Sequence, residues 1–131
     1  GAGAAGGTPA GLVAALGAEM APGGRLVAET VGLPEALADR PDLVLTGEGR
    51  LDDQSAHGKV VSTVAALAGG APVVALAGSL RDDLTDLHKG GMTAAFSLAD
   101  GPRTLDELFD RGAELLTALA EQITRTYAAA G

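Results

Sequence analysis

The sequence predicts an α/β protein built on a parallel sheet, and three observations carry that prediction. Short apolar runs at Leu43-Val44-Leu45, Val73-Val74-Ala75-Leu76-Ala77 and Ala94-Ala95-Phe96-Ser97-Leu98 read as strands, the first two as fully buried ones. Each is followed by a stretch with helical spacing. The 131 residues contain 47% hydrophobic side chains but one Tyr and two Phe, so the core must be aliphatic. From Asp42 onward the order is βαβαβα, which by the right-handed crossover rule gives a three-layer, Rossmann-like parallel sheet with helices on its faces.

Before that unit, residues 1–41 form a glycine-rich helical segment. Gly1-Ala-Gly-Ala-Ala-Gly-Gly7 matches G-x-G-x-x-G formally, but no strand precedes it, which weakens a dinucleotide reading; small residues here let the segment pass close to other backbone. Leu12, Val13, Leu16 and Met20 support a helix that Pro22-Gly23-Gly24 breaks. Shorter helices follow over Arg25–Val31 and Pro34–Asp39, ended by Pro41.

Strand one is expected over Asp42–Leu45, a helix over Lys59–Ala68 and strand two over Val73–Ala77. Ser79 with Asp82 suggests a helix cap, and His88 and Lys89 before Gly90-Gly91 suit that helix's other end, which makes His88 a terminal residue rather than a catalytic one. After strand three, Thr104 and Glu107 form a capping box. It opens one long helix whose apolar stripe, from Leu105 through Phe109, Leu116 and Ile123 to Tyr127, is expected to pack on the sheet.

Bulk properties exclude several classes. A net charge of -8 with pI near 4.5 argues against nucleic acid or an anionic membrane as partner. With no cysteine there is no disulfide, thiolate nucleophile or Cys-based zinc site. No apolar run approaches the ~18 residues of a membrane span, and no secretory signal is visible, so the cytoplasm is the expected compartment. Three strands are few for a parallel sheet, which needs its faces and edges covered. Residues 1–131 are therefore expected to be a single α/β domain or fragment, one part of a larger α/β protein or a module that associates with something else, such as a second copy.

Chemistry concentrates in Thr46-Gly-Glu-Gly-Arg-Leu-Asp-Asp-Gln-Ser-Ala-His-Gly-Lys59, expected as a loop at the carboxyl end of strand one, where open α/β sheets bind ligands. Gly47 and Gly49 would let backbone amides approach an anion, and Arg50 and Lys59 offer a planar fork and a point charge. Glu48, Asp52 and Asp53 could hold Mg²⁺ through oxygen. A solvated turn is the competing reading, because turns are commonly rich in Gly, Asp and Ser. Gly58-Lys59 is not a phosphate-binding Walker motif, since Asp53 stands where Gly is needed and Val60 where Ser or Thr is needed. His57 and His88 are too far apart in sequence to suggest a metal pair, and no nucleophile elbow presents Ser55.

Thr46-Gly-Glu-Gly-Arg50, Asp52, Gln54-Ser55 and Gly58-Lys59 closely resemble the T-G-E-G-R-x-D-x-Q-[ST]-x-x-G-K signature of the type I glycerate kinases. Gly1 to Gly7 resembles that family's G-A-G-A-A-G-G segment, Val73–Gly78 its P-V-I-A-L-A-G strand, and Ala94–Ser97 the segment before its last helix, in family order. Val60-Val61-Ser62 departs from the proline and glycine more usual after the G-K pair. The family's A-D-G-G-E-G-T motif and its Gly/Thr-rich middle portion are missing, so the resemblance implies the C-terminal part of a longer two-domain kinase.

It further implies transfer of the ATP γ-phosphate to a hydroxyl of D-glycerate, with Mg²⁺ as cofactor. On that basis Glu48, Arg50, Asp52 and Lys59 are expected to be catalytic, with Glu48 and Asp52 as metal ligands. Thr46, Gly47, Gly49, Gln54, Ser55 and Gly58 would contact substrate or nucleotide. A non-catalytic remnant or regulatory module that kept anion binding is the alternative.

Overall fold

The computed structural model describes residues 3–52, 60–81 and 83–131; Gly1, Ala2, residues 53–59 and Asp82 lie outside the described residues. After a 3₁₀ turn at Ala4–Gly7 come α1 (Thr8–Leu16), α2 (Gly23–Thr30) and α3 (Leu33–Ala38). The sheet unit follows as β1 (Val44–Leu51), α4 (Val60–Leu67), β2 (Val73–Leu80), α5 (Thr85–Lys89) and β3 (Ala94–Ser97), and α6 (Leu105–Asp110) and α7 (Gly112–Ala130) close the chain.

The sheet is parallel, in the order β1-β2-β3, with Val44 opposite Val73 and Val74 opposite Ala94. Alternation along β2 divides its side chains between two layers. Val73, Ala75 and Ala77 face α4 and α5, where they join Val61, Val64, Leu87 and Met92 in the buried core. Val74 and Leu76 face α6 and α7, together with Ala94 and Phe96. Leu51, Val61 and Val73 are the largest side chains wholly removed from solvent. Each contributes about 1.5–3 kcal/mol of transfer free energy relative to an exposed position.

Several expectations are corrected. β1 does not stop at Leu45; it continues through Thr46-Gly-Glu-Gly-Arg50 to Leu51, because β2 is equally long and supplies a ladder as far as Leu80. The same ladder places Ser79 in β2, so it cannot cap α5, which begins at Thr85 with its backbone N–H bound by the Asp83 carboxylate at 2.9 Å. α1 ends at Leu16, capped by Gly17, and leaves Met20 outside it. The single helix expected after Thr104 is two, interrupted at Arg111. Its apolar stripe is not sealed against the sheet: Leu105, Phe109 and Leu116 stay exposed while Leu115 is buried.

Other expectations hold. Thr104 and Glu107 form the capping box, with Thr104 N–H donating to Glu107 Oε2 at 2.7 Å and Glu107 N–H to Thr104 Oγ1 at 3.3 Å. His88 sits in the last turn of α5 with Nδ1 3.0 Å from the Met92 carbonyl oxygen, which requires the proton on that nitrogen and gives the residue a structural partner.

Candidate active site

The distal half of β1 carries the charged residues, and its position on a strand sets their geometry. Thr46, Glu48 and Arg50 lie opposite Ala75, Ala77 and Ser79 of β2. Gly47 and Gly78 have a packing reason to be glycine: a Cβ at Gly47 would come within 2.9 Å of the Leu76 carbonyl oxygen, and one at Gly78 within 2.6 Å of the Gly49 carbonyl oxygen. Gly49 differs, because a Cβ there would meet nothing within 4 Å. Of the two glycines expected to admit a ligand, Gly49 borders open space and Gly47 serves strand approach.

Glu48 lies between two grooves. One, of about 420 Å³, is lined by Val27, Ala28 and Leu33 from the helices before the sheet and by Val60 and Val64 of α4. The other, of about 450 Å³, runs along the carboxyl ends of β1 and β2, with Gly47, Gly49, Gly78 and Ser79 on one side and Leu105, Leu108 and Phe109 on the other. Glu48 Oε2 is buried and has no hydrogen-bond partner among the described residues. An unsatisfied carboxylate oxygen at such a position costs free energy unless a cation or donor reaches it.

Two residues further on, Arg50 Nε lies 3.7 Å from Asp52 Oδ2, with the arginine side chain 54% exposed and the aspartate 22%. The structure thus gathers Thr46 through Asp52 on one strand end. Among the described residues no group of three or more His, Asp or Glu is placed to hold a metal. Gln54, Ser55, Gly58 and Lys59, expected at the site, lie outside the described residues, as do Asp53 and His57. Ser79 and the apolar wall of α6 were not anticipated at this site. Ser79 could have been found from the parallel between Gly47-Glu48-Gly49 and Gly78-Ser79, each following a short apolar run, although the first run is not fully buried as expected, Leu45 being 42% exposed.

A parallel sheet whose carboxyl ends place Gly47, Glu48, Gly49 and Ser79 along an open groove has the architecture of open α/β domains, a class that binds ligands at that edge. The chain belongs to the glycerate kinase family, whose model matches residues 1–128. It is 50% identical over 115 residues to the glycerate 2-kinase of Escherichia coli K12, covering 86% of this chain and 30% of that protein. With the glycerate kinase of Halalkalibacterium halodurans it shares 44% identity over 125 residues, 94% of this chain and 33% of the relative. A Salmonella typhimurium LT2 crystal structure assigned to glycerate kinase 2 superposes with a TM-score of 0.74 at 38% identity, over 99% of this chain and 33% of that one. The chain therefore spans about a third of the length of the relatives it matches. Among the described residues no helix is long and apolar enough to cross a membrane.

Proposed function

We propose that this chain is the carboxyl-terminal part of a two-domain, ATP-dependent glycerate kinase working in the cytoplasm, and that the end of β1 forms one wall of its active site. The observation that carries this reading is the buried Glu48 Oε2, without a hydrogen-bond partner among the described residues, on the same strand end as the Arg50–Asp52 pair. Mg²⁺ commonly takes one or two protein carboxylates together with substrate phosphates. Glu48 and Asp52 supply that number, and the orphaned oxygen of Glu48 is the kind of atom a cation satisfies. When bound, the ion would neutralise charge on the phosphate oxygens.

In the proposed reaction a hydroxyl oxygen of D-glycerate bonds to the γ-phosphorus while the bond to the bridging oxygen of ADP breaks. Such transfer depends mainly on positioning and charge neutralisation. Arg50 binds an anionic group of glycerate or ATP, and Glu48 and Asp52 divide metal binding and acceptance of the hydroxyl proton. Lys59 adds cationic charge, with Thr46, Gln54, Ser55 and Gly58 contributing contacts to substrate or nucleotide. Gly49 leaves room for close approach, and the apolar wall from Leu105 to Phe109 suits a flat heterocycle such as the nucleotide base.

Calorimetry with Mg-ATP and with D-glycerate, on the chain alone and joined to the amino-terminal portion of a relative, tests the reading. Phosphoryl transfer restored by the added portion supports it; ligand binding with no transfer in the joined protein favours a non-catalytic binding module. In the joined protein Asp52→Asn is expected to lower kcat at least a hundredfold with little change in thermal midpoint, and unchanged turnover removes Asp52 from the mechanism.

A further inference from the structure

The amino-terminal helices carry apolar side chains that nothing in the described structure covers. α1, Thr-Pro-Ala-Gly-Leu-Val-Ala-Ala-Leu, has no charged residue and buries none of its nine. It packs mainly on the turn before it. Leu16 at its end is 76% exposed, and α2 leaves Val27 61% exposed with Val31, just beyond it, at 71%.

Charge is distributed to match along α1, whereas α2 carries an exposed Arg25–Glu29 ion pair beside its apolar residues. Between Gly3 and Gly24 the one charged side chain is Glu19, while all 9 Lys and Arg and the remaining 16 of the 17 Asp and Glu lie from Arg25 onward. Isolated helices shorter than ~12 residues are marginal in water, and an apolar helix in a protein draws its stability from what it packs against. Depletion of charge together with exposed aliphatic side chains marks surface that another polypeptide covers.

We propose that the apolar residues of α1 and α2 are the seat of the amino-terminal two-thirds of a full-length glycerate kinase polypeptide. Size supports this occupant: the matched relatives are about three times as long as the portion this chain covers, so most of their polypeptide has no counterpart here. Charge disfavours a second copy, since two chains of net charge -8 would meet with like sign. The inference rests on reading the chain as the carboxyl-terminal part of such a kinase, but its readout is protection and stability rather than turnover. Failure of the phosphoryl-transfer reading would leave it standing.

The test compares the isolated chain with a fusion in which it replaces the carboxyl-terminal third of the Halalkalibacterium halodurans relative. Hydrogen exchange at the amides of α1 and α2 is expected to slow at least tenfold in the fusion. A Leu16→Asp/Val27→Asp double variant should lower the thermal midpoint of the fusion by several degrees and leave that of the isolated chain unchanged, because both side chains are exposed in it. Equal exchange in the two proteins overturns the proposal, as does new protection confined to α6 and α7. Sedimentation of the isolated chain as a dimer already protected at α1 and α2 also overturns it, by making the occupant a second copy.

Discussion

The two faces of the sheet are finished differently. On the face toward α4 and α5, Val73, Ala75 and Ala77 are wholly buried, Val73 packing with Leu37, Val44 and Val64 and the two alanines with Leu51, Val61, Leu87 and Met92. On the face toward α6 and α7, grooves of about 450 and 470 Å³ separate helix from strand, and Phe109 is 76% exposed. The contrast teaches that hydrophobic side chains in this chain serve two purposes. One set holds the βαβαβ unit together; the other stays open on the face toward α6 and α7.

Truncation separates the two sets most strongly. Leu51→Ala removes a fully buried side chain at the end of β1 and should cost about 2–5 kcal/mol in urea unfolding. Phe109→Ala, although it deletes more atoms, should change stability by no more than about 0.5 kcal/mol. Equal losses would erase the distinction between the faces.

Glycines sharpen it further. Gly78→Ala forces a methyl group against the Gly49 carbonyl and is expected to destabilise by about 1–3 kcal/mol. Gly49→Ala meets open space and should stay within about 0.5 kcal/mol while weakening ligand binding in the joined protein. If Gly49→Ala unfolds the chain instead, Gly49 belongs with the packing glycines.

On the open face the helices depend on their own ends. Thr104→Ala removes the oxygen that accepts from Glu107 N–H and should cost about 1 kcal/mol, read as a lowered denaturation midpoint.

The smallest effect is electrostatic. Hydrogen bonds from Arg103 to Asp100, from Thr104 to Glu107 and from Arg111 to Glu114 hold these three carboxyls below their ordinary range near 4. A depressed folded-state value stabilises the protein above the ordinary carboxylate pKa, and that contribution is lost as pH falls through the depressed values. A shallow decline in denaturation midpoint below about pH 4 is therefore expected, and Glu107→Gln should flatten it. All three groups are exposed, so solvent screening keeps the slope small.

Much of this molecule is determined locally and could be read from the chain. The three strands, the Thr104–Glu107 box and the terminal place of His88 follow from apolar runs, capping chemistry and glycine punctuation, which act over a few residues, and the parallel order follows from the alternation of strands and helices through the crossover rule. The family signature from Thr46 to Asp52 was equally legible, because those residues are adjacent in sequence.

What tertiary structure decided is where the strands end and which apolar side chains find partners. Thr46-Gly-Glu-Gly-Arg50 has loop composition and becomes strand because β2 lies alongside with matching length, a pairing no local pattern encodes. The helical stripe from Leu105 to Tyr127 has the spacing of a buried face but stays half open, since the interruption at Arg111 and a three-stranded sheet leave it too little surface to cover. Periodicity tells a residue which way to face, and only the neighbouring elements determine whether anything is there to meet it.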